Sequence, residues 1–487
     1  MASDSLDVSG GAGGVSAQYD DMISTAAGLE QIANGLTERQ SVIEAMLRNG
    51  DLLESAVLAP VTAAQVTAQG AAATIGPNGL LVAAARMQAS ALTLRVSVDA
   101  YQSLDEALAR ATTAGQAVGA PLALLGLLGR EGLRAGDDLW NGDLAGLRQL
   151  PGLAAEDAGK LLYANPWIVD GVITDSPALM WTLGFAAGPV GFGVLSAWTN
   201  STEHAAFPPT SVEDATGDLI AFGAGFGVFK TGSAGVTPLG PAQAAPSARM
   251  AVPTSLSTTM DGVRELGRQK GTIRIFDVPQ TDGTRRWVVE IPGTQEWSPT
   301  AGTNPVDLTT NLRLMAGQQT EQNEGIRQAM RLAGVAPGEP VMLAGHSQGG
   351  ITAASLAADP ATRAEFDITH VYTGGSPIAR FPIPDDVNVL SIEHDQDAVP
   401  RLDGRDNPDR PGWVTIHRDP TGVLNQRGEP VTNTAQAHDN SVYSDTAALI
   451  DRSTDLTVMR QRETFQPFFS GTGDTTVTTY QLTRELP

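Results

Sequence analysis

The segment Val341-Met-Leu-Ala-Gly345-His346-Ser347-Gln348-Gly349-Gly350 carries the clearest chemical signal in the chain. Its apolar start reads as a buried strand and Ile351–Ala358 as a helix, which places Ser347 on the turn of a G-x-S-x-G strand–turn–helix. A serine raised on so strained a turn leaves no room for Cβ atoms on either side, and Gly345 and Gly349 meet that demand. The helix start adds unpaired N–H groups and a positive dipole end beside the hydroxyl. The chemistry such a serine performs is attack on a carbonyl carbon.

Serine alone is a weak nucleophile and needs a base that a carboxylate orients. The strand-like Val389-Leu-Ser-Ile ends in Glu393-His394-Asp395-Gln396-Asp397-Ala398-Val399-Pro400, a carboxylate cluster in which Asp395 and Asp397 both qualify. Among the histidines, His438 lies in the polar loop Gln436-Ala-His-Asp-Asn, ahead of a helical stretch from about Ser441, and is the expected base. His417 falls inside an apparent strand, Trp413-Val-Thr-Ile-His, and reads as structural. His394 reads as a supporting or surface residue, and His346 as pointing away from substrate. For the oxyanion, one expected donor is the backbone N–H of Gln348, the other Thr294, in Ile291-Pro-Gly-Thr-Gln-Glu-Trp.

These residues need elements to hold them. Thr272–Val278 and Arg286–Ile291 read as strands joined across Thr281-Asp282-Gly283, while Asp307–Gln318 and Asn323–Ala333 read as helices. Further short runs at Pro340–Ala344, Ile368–Thr373 and Val387–Ile392 alternate with helices, which predicts an α/β domain over 256–487 with a mostly parallel sheet covered on both faces. The tail around Thr475–Leu482 reads as an extra hairpin or edge strand. Upstream, 241–255 reads as a Pro-rich linker beginning in Thr237-Pro-Leu-Gly-Pro, and 116–240 as a Gly-rich apolar helical segment, a cap or a membrane-contacting element. Within it Ser176–Thr202 carries no charge, and stands as a buried or interfacial stretch with membrane insertion as the alternative. Residues 1–115 read as an all-α hairpin or bundle, with a Gly-rich lead, a first helix stopping near Asn49-Gly50, a kink near Pro60 and a third helix from Leu80 to about Thr113.

Composition narrows the partners. In 487 residues, Lys+Arg 31 against Asp+Glu 54 leave a net charge of -23, which repels nucleic acid and anionic lipid headgroups. No cysteine is present, so disulfides, thiolate metal sites and cysteine nucleophiles are excluded. The N-terminus lacks the basic and apolar regions of a secretory signal.

Four blocks together resemble the class 3 lipases within the α/β-hydrolase superfamily: Pro292-Gly-Thr with Trp297, Gly345-His-Ser-Gln-Gly-Gly, Thr373-Gly-Gly-Ser-Pro and Asp397-Ala-Val-Pro-Arg. The resemblance spans roughly 270–450 and implies Ser347 as nucleophile, Asp397 as acid with Asp395 its rival, His438 as base and Thr294 as an oxyanion residue. Gln348 stands where that family more often has Leu, and no lid follows the Gly-Thr block, which widens the implied substrate from lipids to soluble or lysophospholipid esters. The helical first part resembles the small domains exported by actinobacterial type VII secretion systems, through Tyr101-Gln-Ser-Leu-Asp105 and Trp140-Asn-Gly142, although the family's order of these motifs is reversed. That resemblance implies a secretion-system or chaperone partner and a secreted or cell-envelope location by a non-Sec route, with the cytoplasm as the alternative. The expectation is an ester hydrolase that needs no metal or organic cofactor and takes an ester or lipid substrate. The alternative is a secreted effector or partner-binding protein whose helical half carries the function.

Overall fold

The computed structural model describes residues 5–11, 15–75, 79–92, 94–95, 163, 212–224, 228–240, 253–298, 300–471 and 475–486. Its strands are β1 (Asp7–Gly10), β2 (Ser233–Leu239), β3 (Thr272–Pro279), β4 (Arg285–Ile291), β5 (Pro340–His346), β6 (Asp367–Gly374), β7 (Asn388–His394), β8 (Trp413–Arg418) and β9 (Thr476–Glu485). They form one sheet in the order β1-β8-β7-β6-β5-β4-β3-β9-β2. From β4 through β8 neighbouring strands run parallel. β3 and β9 extend that centre on one side and β1 on the other, all antiparallel to their neighbours, with β2 beyond β9.

Parallel neighbours require crossovers, and helices supply them. The helices labelled here are α1 (Val15–Leu47), α2 (Gly50–Leu58), α3 (Pro60–Ile75), α4 (Val212–Ala224), α5 (Leu256–Leu266), α6 (Leu308–Met315), α7 (Glu321–Ala333), α8 (Gln348–Ala358), α9 (Pro360–Glu365), α10 (Thr434–Ala437), α11 (Asn440–Arg452) and α12 (Leu456–Phe465). Because successive strand side chains alternate, β5 feeds two cores. Val341 and Leu343 pack with Ile326 and Met330 of α7 and Ala353 and Ala354 of α8. Met342 and Ala344 pack on the opposite face with Met260 of α5, Tyr443 and Ala447 of α11 and Phe465 of α12. Both faces of the sheet are thus covered, the arrangement that near-continuous apolar strands demand.

Three segments differ from the sequence reading. Asp7–Gly10 lies not in a helical module but in the edge strand β1, paired with His417–Val414. Four residues beside a glycine run are too few to display a period, so only the partner strand reveals them. A Cβ on Gly10 would lie 2.2 Å from the Trp413 carbonyl oxygen, a contact only glycine permits. The supposed linker start is also strand: β2 runs through Pro238 opposite Tyr480, and the sheet edge tolerates the missing N–H. The α/β domain therefore includes residues upstream of 256. Lastly, β9 is no edge; it lies between β3 and β2.

The chain divides into two compact units, 13–112 and the remainder. In the first, α1 stops at Leu47, and Pro60 opens α3 rather than kinking a continuous helix, since a proline at the first helical position forfeits no hydrogen bond. Residues 80–92 are helical, in line with a third helix opening at Leu80. Leu47 fits against Gly70, where a Cβ would meet it at 2.7 Å, and Arg95 pairs with Glu30 at 3.1 Å. Tyr101–Asp105, Trp140–Gly142, Ser176–Thr202 and most of 116–240 and 241–255 lie outside the described residues. Among the described residues no helix is long and apolar enough to cross a membrane.

Candidate active site

At the carboxyl end of β5, Ser347 has φ 55 and ψ −124. With Phe229 it is the only non-glycine residue at positive φ among those described, a conformation that costs on the order of 1–3 kcal/mol. Its surroundings hold it there. The Ser347 N–H donates to Gly374 O at 2.9 Å, and its own carbonyl accepts from Gly350 and Ile351 at 3.0 and 3.2 Å. The glycine requirement is steric: a Cβ on Gly345 would lie 2.2 Å from the Gly349 carbonyl carbon, and one on Gly349 2.2 Å from Ile291 O.

Two distant segments converge on the serine. His438, at the C-terminal cap of α10, brings Nε2 to 2.9 Å from Ser347 Oγ. Its Nδ1 lies 2.6 Å from Asp397 Oδ2. Asp397 is fully buried in the loop after β7, and its carboxylate also accepts from Val399 N–H at 2.9 Å and the Tyr443 hydroxyl at 2.7 Å. The oxygens of the Asp397 carboxylate accept all three of these hydrogen bonds. Nδ1 of His438 therefore carries the proton, and Nε2 is left to accept the serine O–H. The imidazole keeps 22% of its side chain exposed, while the acid behind it sees no water.

Asp395, the rival acid, turns elsewhere. Its main-chain N–H donates to Arg418 O at 3.0 Å, and burial raises its carboxyl above the ordinary range, partly offset by the nearby His417. His417 occupies β8 as expected, 3.9 Å from Glu393, with burial lowering its pKa. His394 is not a surface residue: it is 1% exposed, and burial lowers its pKa to about 4. His346 is buried as well, and points to the His438 carbonyl oxygen, 3.1 Å from Nε2.

The loop after β4 presses on the turn at Ser347. A Cβ on Gly293 would stand 3.1 Å from His346 O and 3.3 Å from Ser347 Cβ. Next to it, Thr294 Oγ1 accepts from Asn311 Nδ2 at 2.8 Å, which leaves its hydroxyl proton to donate elsewhere. The main-chain N–H groups of Thr294 and Gln348 meet no acceptor among the described residues. The Gln348 side chain is buried and donates to Asp307 O at 2.9 Å, so its main chain alone faces the serine. Asp307 caps α6 through Thr310 N–H and is itself gripped by buried Arg484 of β9 at 2.6 and 3.0 Å.

Tyr443, Asn311 and the Asp307–Arg484 pair were not singled out in the sequence. Tyr443 follows His438 by five positions on an amphipathic helix, where apolar spacing marks it only as core. Among the described residues no group of three or more His, Asp or Glu side chains is arranged to hold a metal ion. Compared with protein-family models, curated proteins and solved structures, the chain matches none.

Proposed function

We propose that this chain is a serine carboxylic-ester hydrolase on an α/β-hydrolase type of fold, with Ser347 as nucleophile, His438 as base and Asp397 as the orienting acid. The reading is carried by one observation, the unbroken hydrogen-bonded line from Ser347 Oγ through both imidazole nitrogens to the buried Asp397 carboxylate.

Ser347 Oγ attacks the ester carbonyl carbon while its proton passes to His438 Nε2. Asp397 stabilises the resulting imidazolium without taking its proton. The carbonyl π electrons move to oxygen, and that oxyanion accepts hydrogen bonds from Gln348 N–H and from Thr294. Collapse of the adduct breaks the bond to the alkoxy oxygen, which leaves as the alcohol with the proton from Nε2. Water then attacks the acyl-enzyme, gives its proton to Nε2, and the carboxylic acid departs as Ser347 recovers its hydrogen. Lipid and soluble carboxylic esters both suit this chemistry.

The test is hydrolysis of p-nitrophenyl acyl esters of graded chain length, with covalent capture of the serine by a fluorophosphonate. Wild-type protein turns over and is labelled at Ser347, and Ser347→Ala does neither. Equal turnover by the two proteins excludes the mechanism.

A further inference from the structure

We infer that His346 and His394 are positioning residues for His438, two buried imidazoles that grip its main chain at successive carbonyls; the inference rests on the hydrolytic reading above. His394 Nδ1 lies 2.7 Å from the carbonyl oxygen of Ala437, and His346 Nε2 lies 3.1 Å from that of His438. One carbonyl belongs to the peptide that enters residue 438 and the other to the peptide that leaves it. Carbonyl oxygens only accept, so each of those ring nitrogens carries a hydrogen.

Both rings hold a single proton. Burial lowers the pKa of His394 to about 4 and that of His346 well below the ordinary value. His394 Nε2 is thus an acceptor; the Thr446 hydroxyl, 2.8 Å away, shares its one hydrogen between that nitrogen and Val442 O at 3.0 Å while accepting from Arg418 Nη1 at 3.0 Å. The rings are also held by packing. Tyr443 stacks on His394 at 3.9 Å between centroids, and His346 lies tilted against the His438 ring at 4.6 Å. Neutral donors matter at this distance, because a cation in either place would repel the imidazolium that catalysis forms.

The local chain cannot do this work alone. The helix that ends at Ala437 is a single four-residue turn, too short to set the height of His438 by itself. From the present 2.9 Å, a retreat of about 1 Å takes Nε2 out of hydrogen-bond range of Ser347. His346 is the residue immediately before the nucleophile, so its bond ties the serine's turn directly to the main chain of the base.

The experiment compares donor-free with donor-bearing side chains at each position. His346→Gln returns an N–H near Nε2 and His394→Asn returns one near Nδ1, whereas His346→Phe and His394→Phe keep a ring without a donor. Circular dichroism checks folding, and Leu replaces Phe at a position where Phe does not fold. kcat and KM are read for p-nitrophenyl butyrate, beside wild type and Ser347→Ala. The expected result is a fall in kcat of about 10- to 100-fold for the donor-free variants with KM held, largely recovered by Gln and Asn. The clamp is overturned if donor-free and donor-bearing variants fall alike, or if neither donor-free variant loses kcat. With Ser347→Ala inactive, either result removes the clamp alone; Ser347→Ala as active as wild type removes the hydrolytic reading and the clamp with it.

Discussion

The Tyr443 hydroxyl and the His438 imidazole share one oxygen of Asp397: both address Oδ2, at 2.7 and 2.6 Å. Burial, reinforced by the Asp397 charge, raises the Tyr443 pKa well above its ordinary value, so the phenol remains a donor wherever the protein is folded. Tyr443 thus fixes the plane of the Asp397 carboxylate beside His438.

Tyr443→Phe removes only that oxygen. The Asp397 carboxylate loses the hydroxyl that holds its plane, and kcat is expected to fall about 3- to 10-fold with KM held. Loss of one hydrogen bond to a buried charged group also costs about 1–3 kcal/mol of stability. Steady-state kinetics with a thermal melt check both, and an unchanged kcat contradicts the role.

The choice between the two aspartates is open to a paired measurement. Asp397→Asn presents an amide that no longer secures the reactive tautomer of His438, and kcat is expected to drop by roughly three to four orders of magnitude. Asp395→Asn, whose side chain stands apart from His438, leaves kcat within about twofold of wild type. A reversed order assigns the acid to Asp395.

Gly349→Ala forces a methyl group to 2.2 Å from a main-chain oxygen on the neighbouring strand, where no flexible side chain can yield. A loss of at least about 3 kcal/mol is expected by urea denaturation, with poor soluble yield as its preparative sign. Ala at Gly283, where nothing lies within 4 Å, meets only the cost of positive φ and serves as the control.

Stability should fall as solutions turn alkaline. Burial, with the Asp403 charge second, raises the Glu393 pKa to about 8. The folded chain then binds a proton that the unfolded chain has released, so this stabilisation is full below the unfolded carboxyl value and disappears as pH rises through about 8. Glu393→Gln is expected to melt about 2–4 °C above wild type at alkaline pH and alongside it in mild acid. His394 has the opposite sign: its pKa lies at about 4, below the unfolded value, so its contribution is lost as pH falls through the interval between them. A Glu393→Gln melt that tracks wild type across the whole range contradicts the buried-carboxyl account.

Much of the central sheet was legible before any coordinates. Two strands around the Thr281-Asp282-Gly283 turn, the helices at Leu308–Met315 and Glu321–Ala333, and the turn at Ser347 all follow from periodicity or turn sterics within a few residues. The strand at Asp7–Gly10 and the one through Pro238 were not, since each owes its existence to hydrogen bonds with a strand far along the chain.

By itself, the sequence determined that a serine must stand on a glycine-flanked strand-to-helix turn, because the crowding that requires it is local. It also singled out a loop histidine, His438, and the short carboxylate run Glu393–Asp397 as the candidates to meet that serine. Tertiary structure alone brought Asp397, rather than Asp395, to His438 across 41 residues, as it brought His438 to Ser347 across 91. It likewise set Tyr443 on Asp397, Asn311 on Thr294 and two histidines on the main chain at Ala437 and His438. Such contacts depend on which strands become neighbours and on the direction each loop leaves the sheet, quantities fixed by the packing of the whole domain and absent from any short window of residues.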